Sequence, residues 1–345
     1  MPDPIGILLI NVGTPEAPTP PALRRYLAQF LSDQRVIDYP RWLWLPILHG
    51  IILNVRPRRS ARLYQNIWTG QGSPLLVIMR RQAEALQSQL LARTDQDVIV
   101  EIGLSYGNPS VADGLRGLRQ QGADRILLFP LYPQYSATTT AAGLDAAMVE
   151  LASWVKLPEV HWTHSYHQHP GYLDALGQSI RDYWSREGQP DRLLFSFHGI
   201  PERYERSGDP YRRYCQHTAE QVAARLGLQK EQWQIAYQSR FGPEPWLQPY
   251  TDQVIESWAA QSINSVHAVA PGFSADCLET LDEIDREYRE LFEGTNSGQF
   301  HYIPALNTRP DHIEALAEIA ASTIQGWLGS SLESAPKSGQ VATPR

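Results

Sequence analysis

Short apolar runs alternate with amphipathic segments along this 345-residue chain, and that alternation constrains its fold more than any other feature. Runs that read as strands lie at GILLIN (6–11), VIVEIGLSY (98–106), RILLFPLY (125–132), VHWTHSY (160–166), RLLFSFH (192–198), WQIAYQS (233–239) and SVHAVAP (265–271). Helix-period segments stand between or after them at 77–93, 110–121, 171–187, 209–227, 246–260 and 310–327. A parallel strand needs a long crossover to its neighbour, and a helix is the usual way to make one. The pattern predicts βαβ units, parallel sheets and an α/β fold, with a length that suggests two domains.

The chain also repeats itself. LLINVGTPE (8–16) is matched by LLFSFHGIPE (193–202), and FPLYPQYSATTT (129–140) by AVAPGFSADCLE (268–279). An aromatic–glycine pair precedes each second match, at Tyr106-Gly107 and Phe241-Gly242. The repeat predicts two similar Rossmann-like, doubly wound halves, 1–165 and 166–328, followed by a polar tail at 329–345 expected to be disordered. Ligands of such folds bind at the carboxyl ends of the strands, here in the cleft between the halves. In the match His198 stands opposite Val12, and Glu279 falls near Ala141, so the polar groups belong to the second half.

Composition removes several classes of function. A formal net charge of −7 and a pI near 5.8 argue against nucleic-acid binding. Cys215 and Cys277 are the only cysteines, which excludes a disulfide framework and a four-cysteine iron–sulfur cluster. The first apolar run lacks a basic flank and reads as a strand, not a signal peptide, so a cytoplasmic setting is expected. The stretch Trp42–Leu53 is too short to span a bilayer. It reads either as a buried helical hairpin with Arg56, Arg58, Arg59 and Arg62 as a solvated flank, or as an apolar lip touching a membrane or a greasy ligand.

The richest stretch is APGFSADCLETLDEIDREY (270–288). On an α-helix Glu279, Glu283 and Glu287 share one face, opposite Leu278, Leu281, Ile284 and Tyr288. Two structural readings compete with a functional one: a solvated acidic face, and an acidic capping box, Asp276-x-x-Glu279. The functional reading places the carboxylates in the cleft, where they bind a divalent metal or accept protons. His198, at a strand end before Gly199, is a structural hydrogen-bonder or, if it meets Glu279, half of an imidazole–carboxylate pair suited to Fe²⁺ or to proton transfer. Gly/Pro loops carry Tyr106, Ser73, Arg240 and Trp246 as pocket or turn residues, and none is a phosphate loop. His161, His164, His167 and His169 crowd together, but histidines on one strand alternate faces, so few would converge.

The motifs LLFSFHGIPERY, SATTTAA, QSRFGPEPWLQPYTD and PGFSADCLETLDEID resemble those of the ferrochelatase family, the terminal enzymes of haem synthesis, over about residues 5–325 and most closely in their proteobacterial form. The resemblance implies insertion of Fe²⁺ into protoporphyrin IX held between two Rossmann-like domains. It implies that His198 and Glu279 are the catalytic and iron-binding pair, with Glu283 and Glu287 as a second-ion or proton path. It further implies that Val12, Ser73, Tyr106, Trp246 and Phe273 bind substrate, and that Trp42–Leu53 is a lip at the mouth. Which of His198 and Glu279 holds iron stays open, as does coproporphyrin III as substrate. A non-catalytic tetrapyrrole or metal carrier on this fold is the remaining alternative. Iron is then substrate, no tightly bound cofactor or iron–sulfur cluster is expected, and a monomer or homodimer would touch the membrane only peripherally. Departures from the family pattern are TGQGSP around Ser73, and Cys277 where some relatives have histidine.

Overall fold

The structure, a computed structural model, describes residues 3–295 and 297–328; the tail expected to be disordered lies outside them. Eight strands form two sheets: β1 (Ile5–Gly13), β2 (Val98–Tyr106), β3 (Arg125–Pro130) and β4 (Glu159–Trp162), then β5 (Arg192–His198), β6 (Trp233–Gln238), β7 (Ser265–Val269) and β8 (Gln299–Ile303). Their orders are β2-β1-β3-β4 and β6-β5-β7-β8, and every pairing is parallel. The two orders are the same, and the matched sequences fall on equivalent strands. β1 and β5 are each the second strand from an edge. The segments after β3 and β7 each lead into a π-helix, Ala137–Ala141 and Glu279–Tyr288.

The central strands are apolar along their length because helices cover both faces; Ile5 to Ile10 are buried without a break. One hydrophobic core spans the halves, joining Leu9, Leu104 and Phe129 to Phe195, Phe197, Val222 and Leu316. Each such side chain contributes about 1.5–3 kcal/mol by its burial. The helix Pro310–Thr323 packs on both Pro74–Leu91 and Pro170–Glu187 and so ties the chain's end to its beginning. Arg203 bolts the front, pairing with Glu244 at 2.6 Å and with Asp38 of the first half.

Three expectations are corrected. A strand at 299–303 was not foreseen, because QFHYI alternates over only five residues and its main support is pairing with β7. The helix expected over 246–260 begins only at Thr251, since Pro249 restrains the backbone before it and the cap residue Tyr250 is extended. The stretch at 42–53 is not a buried hairpin. Helix Arg41–Ile47, a π-turn Leu48–Ile52 and helix Leu53–Ile67 bury Trp44, Leu48 and Leu53 on one side only. Trp42, Leu43, Ile47, Ile51 and Val55 face outward, 80%, 47%, 37%, 61% and 67% exposed. No helix of the described residues is long and apolar enough to cross a membrane.

Two glycines fix the ends of β1 and β2. Gly13 has φ +118°, and a Cβ there would lie 1.7 Å from the Tyr106 carbonyl oxygen. Gly107 has φ +99°, and a Cβ there would lie 2.4 Å from the Thr14 carbonyl oxygen. The ends of β1 and β2 close on each other only because neither residue has a side chain.

Candidate active site

His198 is the last residue of β5, and the parallel register sets it beside Gln238, the last residue of β6. Its Nδ1 lies 2.7 Å from the Gly199 carbonyl oxygen, which can only accept, so Nδ1 carries a hydrogen and Nε2 is the ring nitrogen left for chemistry. Gln238 is buried and cannot turn: its Oε1 accepts from Ser196 Oγ at 2.7 Å, and its Nε2 donates to the Glu279 carbonyl and to Glu283 Oε2, both at 3.2 Å. One amide thus ties the histidine's strand to the carboxylate-bearing helix.

Glu283 is the focus of the cluster. It also accepts from Ser239 N and Tyr288 OH, each at 2.9 Å, and from Ser239 Oγ. Ser239 holds φ +63°, an uncommon conformation for serine that aims both its donors at the carboxylate. Burial pushes the Glu283 carboxyl above its usual range, against the pull of Ser239, His198 and Tyr288, and the nearby Glu279 charge adds to the rise. Glu283 therefore feels His198 and Glu279 together. Glu279 also acts on a buried wall. The phenols of Tyr26 and Tyr64 and the thiol of Cys277 are pushed up first by burial, with Glu279 adding to each. Its upward shift keeps the Cys277 thiol protonated.

The carboxylate row does not keep to one face. The segment Glu279–Tyr288 is a π-helix, with i→i+5 bonds. A step of four residues overshoots an α-turn but falls short of a π-turn, so the row precesses. Glu279 and Glu283 stay half-buried, while Glu287 reaches solvent and pairs with Arg286 at 3.1 Å. The acidic capping box is also absent. Asp276 is buried in a knot, accepting from Tyr302 OH and Asn307 Nδ2 at 2.7 Å and from Thr280 Oγ1 at 3.0 Å. Thr280 takes the Cys277 N–H instead.

The other candidate residues form the walls. Val12 and Phe273 pack with Leu75, Ala275 and Cys277. Ser73 is buried and accepts from Thr14 Oγ1 at 2.7 Å. Trp246 is buried beside Gly199, its ring 3.1 Å from where a Cβ on that glycine would stand. Tyr106 is buried too, but its phenol donates to Asp33 Oδ2 at 2.7 Å and its ring lies against Phe30. Two surface cavities, of about 350 and 540 Å³, are lined by neither His198 nor the carboxylates, although the larger touches Tyr106. Among the described residues no three His, Cys, Asp or Glu side chains converge to hold a metal ion. At the site itself the described residues form a carboxylate cluster held by donors from Gln238, Ser239 and Tyr288. Gln238, Ser239 and Tyr288, which organise it, were not among the expected residues. Only strand register and helix packing bring them together.

The ferrochelatase family model matches residues 4–324. Ferrochelatase of Thioalkalivibrio sulfidiphilus is 51% identical over 94% of this chain and 88% of its own length. Ferrochelatase of Nitrosococcus oceani is 50% identical over the same shares, and Ferrochelatase 1 of Shewanella oneidensis is 47% identical over 94% of this chain and 97% of its own. Among solved structures, SirB from Bacillus subtilis with Fe³⁺ superposes at a TM-score of 0.54, covering 96% of this chain and all of SirB. At 11% identity that likeness concerns the fold alone. With the family model matching nearly end to end and relatives half identical over most of their length, the chain belongs to the ferrochelatase family, lyases that insert Fe²⁺ into porphyrin.

Proposed function

We propose that this protein inserts Fe²⁺ into protoporphyrin IX to give protohaem. Metallation exchanges two pyrrole protons for one divalent ion, so the site must accept protons and help strip water from the iron. The observation that carries the reading is His198, its Nδ1 held by the Gly199 carbonyl, acting on a carboxyl cluster whose inner member, Glu283, is pushed toward its protonated form by burial. In this reading His198 Nε2 takes a pyrrole proton, Glu283 holds it next, and Glu279 meets the iron. Glu287, paired at the surface, marks the solvent end of the path. Few protein donors suit an ion that must be surrendered to four ring nitrogens. Val12 and Phe273 offer the apolar wall a flat macrocycle needs, with Ser73, Tyr106 and Trp246 fixing the loops around it. No resident cofactor takes part, and iron is a substrate.

The outward stripe of Trp42, Leu43, Ile47, Ile51 and Val55 supports peripheral contact with a membrane surface, with Arg58, Arg59 and Arg62 beside it. We place the protein in the cytoplasm, touching the membrane through this stripe. The test is an anaerobic assay of the intact protein with Fe²⁺ and either protoporphyrin IX or coproporphyrin III, read by absorbance. Faster metallation of protoporphyrin supports the proposal, faster metallation of coproporphyrin moves the substrate, and no metalloporphyrin from either leaves a carrier.

A further inference from the structure

His167 follows β4 and is only 6% exposed, yet neither its Nδ1 nor its Nε2 has a hydrogen-bond partner. Buried imidazole nitrogens are rarely left so, and an orphaned group of this kind points to a missing water or ion. The second-half helix Tyr211–Leu226 brings His217 to it, with ring centroids 5.5 Å apart and planes at 85°. His217 Nδ1 is likewise buried without a partner. With metal–nitrogen bonds of about 2.0–2.1 Å, two imidazoles on one tetrahedral ion have centroids roughly 5–6 Å apart. The geometry points to a second metal site in this protein, a first-row divalent ion such as Zn²⁺ held between His167 and His217 and completed by water.

Several features set the character of that site. Tyr214 stacks on His167 at 3.8 Å and fixes its ring plane. The Arg213 guanidinium, 5.6 Å from the centre of the Tyr214 ring, opposes a cation nearby. The ion is therefore exchangeable, with two protein donors and not a closed cage. Among first-row divalent ions, imidazole donors hold nickel, copper and zinc more tightly than ferrous iron. Bound there, the ion would staple the segment joining the halves to the helix of His217, whose next residue, Thr218, receives a hydrogen bond from Gln134 at 3.0 Å. The proposal does not depend on the porphyrin reading, because neither histidine belongs to the cluster around His198.

The experiment is Zn²⁺ titration of the full-length protein against a chromophoric chelator, in the wild type, His217→Ala and His198→Ala. The wild type and His198→Ala should each bind one ion more than His217→Ala, and Zn²⁺ should raise the melting temperature only where His217 is present. His217 is half-exposed, so the variant should keep its fold and its rate of iron insertion. Equal stoichiometry and affinity in wild type and His217→Ala overturns the site. Independently of any variant, crystals soaked in Zn²⁺ should show an anomalous peak between the two rings; water there with no anomalous signal overturns it as well.

Discussion

Replacing Glu283 by glutamine keeps the shape of the side chain and removes its capacity to hold a proton. The local consequence follows from the donors that surround it. Oε2 receives Gln238 Nε2 and Ser239 Oγ, while Oε1 receives Ser239 N and Tyr288 OH. The two hydroxyls can rotate to accept from a new NH₂ group, but the two N–H donors cannot. Gln238 is pinned by Ser196 and the Glu279 carbonyl, and Ser239 N is backbone. In either amide orientation one buried N–H loses its acceptor, which costs about 1–3 kcal/mol. The pH dependence has a definite sign. The folded-state pKa of Glu283 is raised, so the stability tied to its proton is fully present below the unfolded value of about 4.3 and is lost as pH rises through the folded value. Glutamine does not titrate, so the gap between wild type and Glu283→Gln narrows as pH rises across that window. Urea denaturation at several pH values measures the gap, and the anaerobic assay measures the rate, expected to fall about 100-fold as for a lost acid–base group. A gap that widens with pH, or a near-normal rate, would refute the assignment of Glu283 as a proton holder.

Other perturbations test the scaffold and the lip. Gly13→Ala sets a Cβ on the Tyr106 carbonyl at a φ of +118°, and should destabilise by about 3 kcal/mol or more in a denaturation midpoint. Asp276→Ala removes the acceptor shared by Tyr302, Asn307 and Thr280 in a buried turn, and should cost about 3 kcal/mol or more while also lowering activity, because that turn begins the π-helix. Trp42→Ser with Ile51→Ser should change stability by no more than about 0.5 kcal/mol, since both face solvent, yet should reduce sedimentation of the protein with lipid vesicles. Unchanged vesicle binding would remove the outward stripe from membrane contact.

Strand positions were legible because β1, β3, β5 and β7 are buried on both faces and must be apolar in sequence. β8 was not, since QFHYI alternates over only five residues and its main support is pairing with β7. The internal match predicted the topology well, as the identical strand orders follow directly from it. The candidate site was legible to the extent that it sits at strand ends: His198 and the 270–288 stretch are marked by the apolar runs before them. What the sequence hides is the pairing that makes them one site. Gln238 faces His198 only because β5 and β6 lie in that register, and Tyr288 reaches Glu283 along an i→i+5 helix that period analysis treats as an α-helix. Glu287, read as one row with Glu279 and Glu283, reaches solvent. Likewise His167 looked like one of four histidines on alternating faces, and its partner His217 comes from a helix 50 residues away.

The central claim is that His198 Nε2 accepts a pyrrole proton from a ring already bound. His198→Ala, assayed anaerobically with saturating porphyrin and Fe²⁺ alongside fluorescence titration of porphyrin binding, tests it most directly. The account predicts porphyrin affinity close to wild type and turnover reduced by about 100-fold or more. Turnover near wild type, or loss of binding with no loss of rate at saturation, would contradict it.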